Sequence, residues 1–240
     1  MKILVSGCSI SAGDGFSERI HDPAIYPNKL AEAYGANLVN VSVPGYDNQG
    51  IFLNTLEEML TDNYDLILIQ FTSLNRLVVS PNVNTRMCIS NAPSLPQLEN
   101  REFHNFYRVL TTINKDFEHL IRLFKIIIIL QNLSKEQGYN IKFINGLLHW
   151  DEEFFNLYRS KFAYDIIDFH QLPDHKIIQA LDIIDSYKKK IDLSMWINPY
   201  NSLESTKTDD ASATDPHPGP ISHAIYTDMV LKYLELNKNI

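Results

Sequence analysis

The run Tyr64-Asp65-Leu66-Ile67-Leu68-Ile69-Gln70-Phe71 constrains this chain more than any other stretch. It is almost continuously apolar rather than alternating, so as a strand it must be covered on both faces, which places it at the centre of a parallel sheet between helices. Units of the same kind surround it. Lys2 to Ser6 is a short aliphatic run that ends at Gly7 and leads through small residues to a helical stretch around Tyr26 to Tyr34. Asn37 to Val43 is closed by Pro44-Gly45 and followed by helical spacing over Ile51 to Leu60. Phe103 to Gln137 has helical spacing up to the terminator Gly138, and Ile141 to Ile144 supplies a fourth strand. Ile191 to Ile197, with Trp196, is the candidate fifth strand, and Ile221 to Leu236 the closing amphipathic helix. Strands alternating with helices predict an open α/β sheet whose ligands sit beyond the carboxyl ends of its strands.

Nothing in the composition of the 240 residues divides the chain, so one domain spanning 1–240 is expected. A change to Pro, Asn and Ser from Ser80 to Asn100 marks an insertion at about 78–115, and the Ser/Thr/Asp-rich stretch at about 198–214 reads as a mobile surface loop. Ile126 to Ile129 could itself be a strand, but it lies among good helix formers and is expected as a buried helix end. Asp151 to Lys190 is helical and aromatic, interrupted by Pro173.

Charge and cysteine usage remove several classes of function. Acidic residues outnumber basic ones by 29 to 21, and the only Lys cluster is Lys188-Lys189-Lys190, so no nucleic-acid partner is expected and a neutral or cationic small molecule is the easier substrate. The two cysteines, Cys8 and Cys88, have no zinc-finger spacing, and His170 and His175 with Asp168 and Asp174 straddle Pro173 without i, i+4 geometry; neither metal nor cofactor is expected. Val5-Ser6-Gly7-Cys8 resembles a lipoprotein cleavage box, yet only Ile3 to Val5 stand between it and Lys2, so a first strand is the better reading. No apolar run is long enough to span a bilayer, which makes a cytoplasmic location without a membrane partner the expectation. Oligomeric state is left open.

In a parallel sheet the residues just after each strand converge on one edge. Here these are Gly7-Cys8-Ser9, Pro44-Gly45 and Thr72 to Asn75, joined by Asp215-Pro216-His217-Pro218 ahead of the last helix. In this set the chain resembles the SGNH (GDSL-type) hydrolase superfamily. Gly7-Cys8-Ser9-Ile10-Ser11 is similar to the first block, whose Gly-x-Ser turn carries the nucleophile. Asn40 to Asn48 is similar to the second block, with Gly45 as its glycine, and Asp215 to Pro218 with Ser222-His223 resembles the last. Two departures stand out: Asp215 precedes His217 by two residues rather than the family's three, and Thr72-Ser73-Leu74-Asn75-Arg76 replaces Gly-x-Asn-Asp. The resemblance implies a three-layer α/β/α fold with a mostly parallel five-stranded sheet, flavodoxin-like, and serine esterase chemistry on small acyl esters, O-acetylated carbohydrate among them.

The chemistry fits these residue types. A serine hydroxyl needs an adjacent base, which neutral His217 supplies, and Asp215 would hold its tautomer and stabilise the imidazolium. The backbone N–H groups of Ser9 and Gly45 and the Asn75 side-chain amide are the nominated oxyanion donors. Alternatives stay open at each position. Ser9 or Ser11 can serve as a helix N-cap, Cys8 as core filler or thiol nucleophile, His223 as a packing group, and Asn48 as a loop cap. A member that keeps the cleft but only binds carbohydrate or another ligand is the competing function.

Overall fold

The computed structural model describes residues 1–74, 76–82, 85–90, 116–147, 150 and 174–236. Its strands are β1 (Lys2–Ser6), β2 (Asn37–Asn40), β3 (Leu66–Phe71), β4 (Arg76–Asn82), β5 (Thr85–Ser90), β6 (Ile141–Asn145), β7 (Trp196–Ile197), β8 (Asp210–Ser212) and β9 (Asp215–Pro218). The helices are α1 (Ser9–Ala12), α2 (Tyr26–Tyr34), α3 (Asn48–Thr61), α4 (Asp116–Gln137), α5 (Asp174–Lys188) and α6 (Pro220–Leu236). Five strands form one parallel sheet in the order β2-β1-β3-β6-β7. This is the doubly wound arrangement in which the chain reverses direction of travel beside the first strand.

Period-two alternation sorts the sheet's side chains into two cores. Leu4, Ile67, Ile69, Phe71, Ile141, Phe143 and Trp196 face α3, α4 and α5, where Ile51, Met59, Leu123, Ile127 and Ile184 meet them. Ile3, Val5, Leu66, Leu68, Ile144 and Ile197 face α2 and α6, against Tyr26, Leu30, Tyr226 and Val230. β3 is buried along its whole length, as a strand covered by helices on both sides must be. Ile126, Ile127 and Leu130 pack from inside α4 rather than from a strand. No described helix is long and apolar enough to cross a membrane.

Two stretches differ from expectation, and the stretch read as an insertion is described only in part. Within 78–115, β4 and β5 form an antiparallel hairpin, and residues 91–115 lie outside the described part. Within 198–214, a 3-10 turn at Glu204–Thr206 and strand β8 replace irregular loop, because β8 pairs antiparallel with β9. The fifth sheet strand shrinks to Trp196–Ile197, since Asp192 caps a 3-10 turn at Leu193–Met195 by accepting from Ser194 N. Residues 151–173 are not described; only α5 of the expected helical region is.

Between α2 and α6 sits a buried titratable group. His223 Nδ1 accepts the Tyr26 backbone N–H at 3.1 Å, and its ring lies among Phe16, Tyr26 and Tyr226. Burial pushes the imidazole down to about 4, against the upward pull of Asp209 and Asp22. The unfolded chain binds that proton below about 6.5, so between those values the unfolded state carries more protons and stability rises with pH. His223→Asn keeps an acceptor for Tyr26 and removes the titration. Its unfolding free energy is expected to vary less steeply than wild type between pH 4.5 and 6.5, by at most about 1.4 kcal/mol per pH unit. Urea titrations giving parallel slopes would exclude His223 as the source.

Candidate active site

β1 ends in a tight turn because the next elements crowd it. Cys8 begins the four-residue helix α1 without capping it through its side chain, and Ser9 is the first helical residue rather than the cap. Beneath the turn, Tyr26 Oη donates to Ser11 Oγ (2.6 Å) and Ser11 Oγ to Gln70 Oε1 (2.5 Å), which also accepts Ser11 N–H (3.0 Å). Gln70 Nε2 in turn donates to Cys8 Sγ at 3.1 Å. These four side chains are fully or almost fully buried. Burial drives the Tyr26 phenol far above its usual range, so it remains a neutral donor at the end of this series. Cys8 therefore belongs to the core, and the Ser9 hydroxyl is directed at its sulfur, 3.9 Å away.

The second strand is strapped to the same turn. Val41 N–H bonds Val5 O and Val43 N–H bonds Gly7 O, and Asn40 Nδ2 donates to Ser11 O at 2.9 Å. The chain then turns at Gly45, whose φ is +83°, and enters α3. Asp47, not Asn48, caps that helix by accepting from Gly50 N–H at 2.7 Å. Asn48 instead reaches across to the segment after β3, where Nδ2 donates to Thr72 O (3.0 Å) and Oδ1 accepts Thr72 N–H (2.8 Å). Asn75 lies outside the described residues.

Asp215 and His217 sit on β9, one strand step apart on the same face of the hairpin. One carboxylate oxygen of Asp215 accepts both His217 Nδ1–H (2.6 Å) and His217 backbone N–H (3.0 Å). Those two bonds, backbone first, hold the Asp215 carboxyl below the usual carboxylate range. With Nδ1 carrying the proton to Asp215, Nε2 is left as the acceptor. The hairpin is anchored at both ends. Lys207 donates to Pro216 O (2.8 Å) and pairs with Asp210 (3.0 Å). Asp209 accepts from Ile221 N–H (3.0 Å) and Ser222 N–H (2.7 Å) at the start of α6. Burial would raise the Asp209 carboxyl, but its bonds from Ser222 and Ile221 outweigh this and hold it low.

Ser9 and His217 line one open cleft of about 230 Å³ with Ile10, Leu147, Glu204 and Pro216. Residues near the two ends of the chain thus line one cleft. Asp14 Oδ2 lies 3.7 Å from His217 Nε2. Among the described residues no group of three His, Cys, Asp or Glu has the arrangement of a metal site, and Asp168 and His170 lie outside them.

Solved structures with the same architecture extend over nearly the whole chain. TesA matches with a TM-score of 0.50 at 13% identity, covering 98% of this chain and 99% of its own. The chain has the fold of the SGNH (GDSL-type) hydrolases. Esterase EstA from Pseudoalteromonas sp. gives 0.47 at 12% identity, covering 100% and 99%, and the lipase/acylhydrolase from Enterococcus faecalis 0.46 at 13%, covering 98% and 95%. No protein-family model and no curated protein matches the sequence.

Within this SGNH fold, Asn48, Gln70, Asp14 and Glu204 were not marked by the sequence as site residues. Contacts that bring Asn48 and Asp14 to the site span 24 and 203 positions, to Thr72 and His217. The Asn48 clamp fixes the start of the segment that leads to Asn75. Asn48→Ala leaves two backbone groups of a buried residue unpaired and is expected to lower stability by about 2–4 kcal/mol, measured by urea unfolding. A loss under about 0.5 kcal/mol would mean that Thr72 is held by something else.

Proposed function

We propose that this protein is a serine ester hydrolase acting on small acyl esters, with Ser9 as nucleophile, His217 as general base and Asp215 as the residue that orients it. The observation that carries the proposal is the 2.6 Å Asp215–His217 bond in a cleft that Ser9 shares. The two-residue Asp-to-His spacing favoured a non-catalytic relative. On an extended strand, however, residues two apart point the same way, so the shorter spacing still closes the pair. The low Asp215 carboxyl keeps a negative charge beside Nδ1 through the neutral range, where His217 must accept a proton.

Attack by Ser9 Oγ on the ester carbon would transfer the hydroxyl proton to Nε2, and His217 would return it to the leaving alkoxide. Water activated by the same imidazole then releases the acid. The oxyanion donors in this scheme are Ser9 N–H, Gly45 N–H and the Asn75 amide. Ser9 N–H suits the task because the first amides of a helix have no partner within it. Ile10, Leu147 and Pro216 supply apolar walls for a short acyl chain, and the cleft's open side leaves room for a bulkier alcohol such as a sugar.

Nitrophenyl esters of increasing acyl length are the direct assay. Ser9→Ala is expected to lower kcat by about 10⁴ or more with the fold intact, and acetyl or butyryl esters to be preferred over long chains. Undiminished turnover in Ser9→Ala would remove Ser9 as nucleophile.

A further inference from the structure

The feature left unused by this scheme is Asp14. It follows α1 directly, and its backbone N–H donates to Ser9 O at 2.9 Å, so it is fixed to the nucleophile's own peptide. The next residue, Gly15, has φ +93°, and a Cβ there would lie 2.6 Å from Ala211 Cβ and 3.1 Å from Asp215 Oδ2. Only glycine permits that approach. The turn after α1 is therefore packed directly on the hairpin that carries Asp215 and His217, and Asp14 spans the junction with its carboxylate at the Nε2 edge of the ring.

We propose that Asp14 is a positioning residue that acts through His217: a second carboxylate, opposite Asp215, which stabilises the imidazolium formed as Ser9 attacks. This rests on the hydrolase assignment above. In the attacking step the Ser9 oxygen forms a bond to the acyl carbon, the carbonyl π pair moves onto its oxygen, and the hydroxyl proton goes to Nε2. Before that transfer Asp14 faces a neutral ring; afterwards it faces a cation 3.7 Å away. An attraction present only once charge has developed lowers the barrier without tightening substrate binding.

The surrounding charges leave Asp14 available. Arg19 approaches its other oxygen only to 3.9 Å from an exposed position. Lys207 is engaged by Asp210, Pro216 O and, at 3.6 Å, Glu204. Glu204 lies on the cleft wall and Asp215 is bonded to Nδ1, so both add to the negative field at the ring.

The test compares wild type, Asp14→Asn, Asp14→Glu and Ser9→Ala with nitrophenyl acetate, each checked for thermal unfolding. Asp14→Asn is expected to lower kcat about two- to fivefold with KM unchanged, the size of effect a partly exposed charge pair gives. Asp14→Glu should recover most of it. The gap between wild type and Asp14→Asn should narrow as NaCl rises from about 0.05 to 0.5 M, because the pair is open to ions. Unchanged kcat in Asp14→Asn, a change confined to KM, or a gap indifferent to salt overturns the proposal. If Ser9→Ala retains full activity the hydrolase assignment itself fails, which separates the two outcomes. Should Asp14→Asn unfold, the Glu variant and the salt response of wild type decide.

Discussion

Parallel strands deliver their carboxyl ends to one edge of a sheet, and the candidate site hangs on that edge. β1 ends in the Ser9 turn, β2 continues past Val5 and Gly7 to Gly45, and β3 leads into Thr72 and its Asn48 clamp. None of these loops is held by the sheet alone. Asn40, Asn48 and Gln70 each cross from one loop or strand to its neighbour through buried or half-buried amide bonds. Unpaired, such groups would cost more than they contribute when paired, so the network specifies one arrangement of the rim.

The last site element reaches the edge differently. Asp215 and His217 do not follow a strand of the main sheet; they belong to a separate hairpin that packs beside the turn after α1. The close approach at Gly15 brings it there, a Cβ on that residue meeting Ala211 and Asp215, and leaves the Asp14 carboxylate 3.7 Å from Nε2. The pair therefore depends on local strand geometry for its 2.6 Å bond and on long-range packing for its place in the cleft that Ser9 also lines. Asp209 links the same hairpin to the first amides of α6, so the closing helix and the candidate base are positioned by a common anchor.

Much of this was readable from residue order. The unbroken apolar run of β3, the strand-turn-helix units around β1 and β2, and α6 were legible because burial on two faces or one leaves a periodic trace. Gly7-Cys8-Ser9 and Gly45 were legible as blocks falling after strands, and Asp215 to His217 as a block ahead of the last helix. The β8–β9 hairpin was not, since Asp, Ser, Pro and His have low strand propensity and only pairing with each other makes them extended. Nor was the division of labour at the start of α3: Asp47 and Asn48 are both good cap residues, and only the position of Thr72 decides which one caps and which clamps. Asp14 carried no local mark at all, because its approach to His217 joins residues some two hundred positions apart.

Covalent trapping followed by peptide mass spectrometry tests the central claim most directly. A fluorophosphonate reacts with a hydroxyl activated by a nearby base, so an activated Ser9 is expected to give one adduct per folded chain, located by fragmentation on Ser9 itself, and no adduct in a His217→Ala protein. An adduct on Cys8 or on a serine remote from the cleft, or labelling that survives the loss of His217, would contradict the account.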